Sequence, residues 1–204
     1  MPKRTLTREK ILAAALELID TAGLEALSMR RLGQHLKVDP MAVYHHIPNK
    51  DELLRAVVVD VFSRMPAPVC AGTWQEQVLD WARAYRDLAL AHPNLVLRIV
   101  TDARAVSVAA ARINEPLYAA LEAGGLSPGK VVGAVGLIVD YINGYALAVS
   151  SAKDASDTFM AELASLPAEQ SAVQLRTLRD PEASKLDHFE YALSVMVAGL
   201  TTAP

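Results

Sequence analysis

Apolar residues along this chain recur three and four apart, the spacing of one helix face, and no stretch alternates apolar with polar residues between hairpin turns. The segments are long and alanine-rich, and alanine loses no side-chain freedom on entering a helix. The pattern predicts an all-α fold. Its punctuation divides the chain into a three-helix N-terminal domain over residues 1–48, a connecting helix over 49–66 and a larger helical domain over 67–204.

The most informative stretch is residues 28–54, SMRRLGQHLKVDPMAVYHHIPNKDELL. Ser28 is an N-cap for a helix whose Leu32 and Leu36 face inward, with Gly33 between them to admit a crossing helix. Asp39 followed by Pro40 opens a second helix reaching about residue 46, because proline at the first helical position gives up only a donor without a partner. Such a helix is too short to stand alone and must be held by neighbours. Val43 and Ile47, four apart, form its inner side, which leaves Asp39, Pro40, Met41, Tyr44 and His45 outside. Tyr44 and His45 can donate to phosphate, and Pro40 and Met41 can meet a thymine methyl. Pro48 ends this helix, Asn49 with Glu52 suggests a capping box for the next, and Lys50 stands at its N-terminus, where dipole and ammonium both favour phosphate. Two short helices joined by a tight turn form the unit that lays a helix into the DNA major groove.

Farther along, Thr73 with Glu76 forms a capping box, Ser127-Pro128 opens a long apolar helix, and Asp180-Pro181 precedes the last one. Helices are expected over 95–104 and 108–123, stopped by Gly124 and Gly125, and residues 151–180 form either a cover or a short helix pair. Residues 131–150 have the length of a membrane span, but Asp140, Asn143 and three glycines make that placement costly. The same helix in water needs apolar partners on several sides. Gly133, Gly136 and Gly144 allow close approach of another helix, and the final helix supplies a second apolar surface through Phe189, Leu193, Met196 and Val197.

Charge agrees with a DNA-docking head. Residues 1–50 carry eight Lys and Arg against five acids, a balance of +3, so the remainder carries −6 of the net −3. An acidic body repelled from the duplex favours one orientation of a basic head. No phosphate-binding glycine loop, HExxH or G-x-S-x-G motif occurs, Cys70 is a single thiol just after Pro66 and Pro68, and Asp102 and Asp140 read as polar groups in apolar helices. Adjacent His45 and His46 point about 100° apart on a helix, with no acidic or cysteine partner four residues on, so no metal is expected. No enzyme activity and no cofactor are expected either. A helical adaptor without DNA affinity is the alternative.

Leu27, Ser28, Met29 and Arg30, then Val43, Tyr44, His45 and His46, then Asn49, Lys50, Asp51, Glu52, Leu53 and Leu54 resemble the DNA-binding domain of the tetracycline-repressor (TetR) family. The resemblance implies phosphate or base contacts at Thr7, Arg30, Tyr44, His45 and Lys50, and Ser28 is expected at the DNA with the outward Asp39, Pro40 and Met41. Lys37 departs from it, standing where the family usually has glycine. The C-terminal part resembles the tetracycline-responsive branch, which implies a homodimer through the long and last helices, here Val139, Asn143, Gly144, Phe189, Leu193 and Val197. It also implies a small-molecule pocket, here Trp81, Tyr85, Ile99, Asp102, Leu117, Tyr118 and Tyr141. The family's magnesium-ligating histidine and drug-binding asparagine fall at Ile99 and Trp81, so an apolar or aromatic effector is expected in place of tetracycline. The expected function is a cytoplasmic, nucleoid-associated repressor, with no membrane partner, that binds a palindromic double-stranded operator and is released by its effector.

Overall fold

The computed structural model describes residues 6–66, 72–101, 103–151 and 156–200, so Cys70 and Asp102 lie outside the described residues. Eleven α-helices are present among them. The head consists of α1 (Arg8–Ala22), α2 (Met29–Leu36) and α3 (Pro40–Tyr44), followed by the connecting α4 (Lys50–Ser63). The body contains α5 (Trp74–Ala91), α6 (Pro93–Thr101), α7 (Ala103–Ala123), α8 (Pro128–Ser151), α9 (Ser156–Ser165), α10 (Ala168–Leu178) and α11 (His188–Leu200).

Local chemistry sets most of these limits. Thr7, Ser28, Asp39 and Asn49 each accept a backbone N–H at the start of α1, α2, α3 and α4. Thr73 and Glu76 close a reciprocal capping box on α5. At Asn49 only half of the expected box forms: Asn49 accepts the Glu52 amide, whereas the Glu52 carboxylate pairs with Arg55 at 2.8 Å. The last helix also begins later than expected. Asp180 folds a turn by accepting the Glu182 amide, and Asp187 is the residue that caps α11 through the Glu190 amide. Residues 151–180 resolve into the helix pair α9 and α10.

α4 packs on α1 at its head end and on α7 in the body, so it belongs to both cores. α8 is the spine of the body, in contact with α5, α6, α7 and α11. It is long and apolar enough by composition to cross a membrane, yet Val131, Ala134, Val135, Ile138, Ile142, Asn143 and Ala146 are buried within the chain. α11 is fixed to α5 by Arg83, whose guanidinium donates to both oxygens of Glu190 at 2.8 to 3.2 Å, and by Arg86, stacked 4.6 Å from the Phe189 ring centre. The Arg83 hydrogen bonds hold the Glu190 carboxyl below the usual carboxylate range.

The residues expected at the dimer seam take different places in this packing. Phe189, Leu193 and Val197 are at most 4% exposed and Asn143 is 5% exposed, so all four pack inside the protomer's own core. Val139 is half-buried and packs against the same core. Gly144 is the exception: it is exposed, and a Cβ built there meets nothing within 4 Å.

Candidate nucleic-acid interface and effector pocket

The turn between α2 and α3 is closed by the backbone. Lys37 takes the left-handed conformation (φ 57°, ψ 43°), its amide donates to the Gln34 carbonyl, and the Val38 amide donates to the Gly33 carbonyl at 2.9 Å. This is the arrangement that usually has glycine at the left-handed position, so lysine costs about 1 kcal/mol there. A Cβ on Gly33 would come within 3.1 Å of Pro40. The missing side chain is therefore what lets α3 cross α2 so closely. Behind α3, Val43 and Ile47 are fully buried.

In front of it, Met41 is 60% and Tyr44 42% exposed, and His45 is exposed beside them. Arg30, Arg31 and Lys37 are exposed on the same domain. Arg8 donates to the His46 carbonyl at 3.5 Å, and the Lys50 ammonium donates to the Leu24 carbonyl at 3.5 Å, which tie both ends of the surface to the head. Among the expected DNA-facing residues, Thr7, Ser28 and Asp39 use their side-chain oxygens as caps, whereas Arg30, Met41, Tyr44 and His45 project outward.

A second feature lies where α4, α5 and α6 meet. Val61 and Phe62 of α4, Tyr85 and Leu88 of α5, His92 at its end, and Leu95, Val96 and Ile99 of α6 line a narrow apolar cleft. Phe62, Tyr85 and Trp81 form a stack, with ring centres 6.1 and 5.2 Å apart and planes within 12°. The Tyr85 hydroxyl donates to the Asn143 side-chain oxygen at 2.9 Å. Burial pushes the Tyr85 phenol up to about 12, an effect that the Asn143 bond partly offsets, so this hydroxyl remains a donor at neutral pH. The Trp81 indole N–H donates to the Ile113 carbonyl at 2.8 Å, one turn before Pro116. Proline at 116 lacks the amide that would have met the Arg112 carbonyl, which interrupts the backbone ladder of α7 one residue before Ile113.

The structure brings Tyr85 and Ile99 into one cleft and sets Trp81 behind Tyr85 as a buried wall. Leu117 is core, Tyr118 is 37% exposed on α7, and Tyr141 packs on Tyr145 and Phe189 between α8 and α11, away from the cleft. Sequence reasoning missed Phe62 and His92. Phe62 lies on a helix read only as a connection, and His92 before Pro93 reads only as a helix boundary.

Comparison with known proteins adds to this geometry. A family model described as bacterial regulatory proteins, tetR family, matches residues 11–57, and one described as tetracyclin repressor-like, C-terminal domain, matches residues 66–203. An HTH-type transcriptional regulator of Saccharopolyspora erythraea is 34% identical over 143 residues, and the repressor DrrR1 of Streptomyces coeruleorubidus is 32% identical over 147. Those alignments cover 70% and 71% of this chain but only 60% and 54% of the two relatives. Apo ActR of Streptomyces coelicolor superposes with a TM-score of 0.76 at 35% identity, covering 97% of this chain and 96% of that one. ActR in complex with actinorhodin gives 0.74 at 34% identity, covering 98% and 97%. BioQ with its double-stranded DNA operator gives 0.69 at 27% identity, covering 97% and 99%.

Proposed function

Because this chain belongs to the tetR family of bacterial regulatory proteins, we propose that it is a transcriptional repressor, binding a palindromic DNA operator as a homodimer and released by an apolar or aromatic small molecule. The observation that carries this reading is the capped α2–α3 pair, which buries Val43 and Ile47 and holds Met41 and Tyr44 out to solvent. The BioQ complex supports DNA as the partner, and the ActR complex with actinorhodin supports a ring-bearing effector. The head spans 1–48, the connecting helix 49–66 and the body 67–204, and the protein works in the cytoplasm at the nucleoid.

The second copy seats on the outward stripes of α8 and α11. Val132 and Leu137 on α8 are 61% and 50% exposed, Tyr191 and Val195 on α11 are 57% and 53% exposed, and Gly133, Gly136 and Gly144 leave room for a crossing helix. Two heads about 34 to 36 Å apart, or a multiple of that, reach successive major grooves. A ligand that binds the released form 100-fold better than the DNA-bound form shifts the balance by about 2.7 kcal/mol, enough for control.

The cleft and its aromatic stack, apolar except for His92 and the Tyr85 hydroxyl, favour a flat ring system over a metal-bound drug. Actinorhodin added to the protein on its operator is expected to raise the melting temperature, quench tryptophan fluorescence and free the DNA. Trp81→Phe is expected to remove most of the quench, because Trp81 lies in the stack. Tetracycline with magnesium is expected to do none of this, since Ile99 and Trp81 offer no metal ligand or matching amide. Magnesium-dependent release by tetracycline would overturn the effector reading and leave the DNA reading intact.

A further inference from the structure

His92 occupies a junction that the proposed function does not by itself require. Its amide donates to the Leu88 carbonyl at 3.1 Å and closes α5, while its carbonyl accepts the Leu95 amide at 3.0 Å and opens α6. Its ring lines the cleft between α4, α5 and α6. The Nδ1 edge of the same ring lies 2.9 Å from the Asp20 carboxylate in the last turn of α1. Two residues on, the Asn94 side-chain amide donates to the Ile19 carbonyl at 2.9 Å. One side chain thus touches both the cleft and the first helix of the head.

Asp20 is poorly placed for α1 itself. A carboxylate in the last turn opposes the helix dipole, and α1 has no basic residue there to offset it. Its favourable partner comes from the body. The cleft has room for no more than about one water molecule. An organic ring can therefore enter only by spreading the α4, α5 and α6 residues that line the cleft, His92 among them.

We infer that the Asp20–His92 contact, backed by Asn94 on Ile19, is a clasp that fixes the reading head on the body, and that filling the cleft and closing the clasp exclude one another. His92 and Asp20 are positioning residues, acting on DNA through the orientation of α1 and the helices packed on it. The inference rests on the repressor reading above, in which the filled form leaves the operator.

The test uses the 204-residue chain without effector, its selected operator duplex and a scrambled duplex of equal length. Asp20→Ala is expected to leave the melting temperature unchanged or raise it, because a carboxylate that opposes the dipole is removed. It is expected to weaken operator binding about tenfold, equal to about 1.4 kcal/mol, with binding to the scrambled duplex unchanged. The exchanged pair, Asp20→His with His92→Asp, is expected to return operator affinity to within about twofold of wild type, the signature of a direct pair. Unchanged operator affinity in Asp20→Ala would overturn the clasp. So would equal losses on both duplexes with a lower melting temperature, which is what a purely structural contact gives. If the wild-type chain selects no operator, the repressor reading falls and takes the clasp with it; if it does and Asp20→Ala binds as well as wild type, the clasp alone falls.

Discussion

Leu193→Asp is expected to unfold the body of the protein. Leu193 is fully buried between α11 and its neighbours, so the change removes a packed side chain and places an unpaired carboxylate among apolar groups. The two effects together cost at least about 4 kcal/mol, a large share of the roughly 5 to 15 kcal/mol by which domains of this kind are stable. Circular dichroism during heating measures it, and the expected result is a steep fall in melting temperature or no cooperative transition. Gly144→Trp is the matched contrast. Its surroundings within the chain are open, so helicity and melting should persist while the dimer mass seen by sedimentation falls to that of one chain. A Leu193→Asp protein that melts like wild type would mean that α11 does not pack as described.

The second large effect concerns DNA. Tyr44→Ala combined with Lys50→Ala removes two donors from the exposed edge of α3 and the start of α4. A loss of about tenfold per half-site, or about a hundredfold for a two-fold complex, is expected for two phosphate contacts. The loss should be similar across operator variants, because phosphate contacts position without reading sequence. Removing one lysine from each of two chains should also lower the salt slope by about 1.8. Lys50 holds the Leu24 carbonyl as well, so melting is checked alongside the gel shift. Equal affinity of wild type and double variant at matched salt would remove α3 from the interface.

The head was readable from the sequence because its signals are local. Ser28, Asp39 and Asn49 cap the helices that follow them within three residues, and Gly33 meets Pro40 only seven positions away. The faces of α11 were not readable. Phe189, Leu193 and Val197 make one stripe and Tyr191 and Val195 another, both apolar, so periodicity cannot say which one enters the core. The core stripe was decided by Arg83 and Arg86 on α5, more than a hundred residues away, gripping Glu190 and Phe189. The cleft was legible only in part for the same reason. Tyr85 and Ile99 were reached through the family resemblance, but Phe62 and His92 acquire a role only once three separate helices meet.

The central claim is that this chain recognises a two-fold DNA sequence through α3. Selection from a pool of random duplexes at about 0.15 M salt, where non-specific phosphate binding is weakened, tests it most directly. The account predicts enrichment of an inverted repeat with half-sites a whole number of helical turns apart, bound by two chains, and lost in the Tyr44→Ala, Lys50→Ala protein. A folded wild-type chain that enriches no sequence over the starting pool would contradict it.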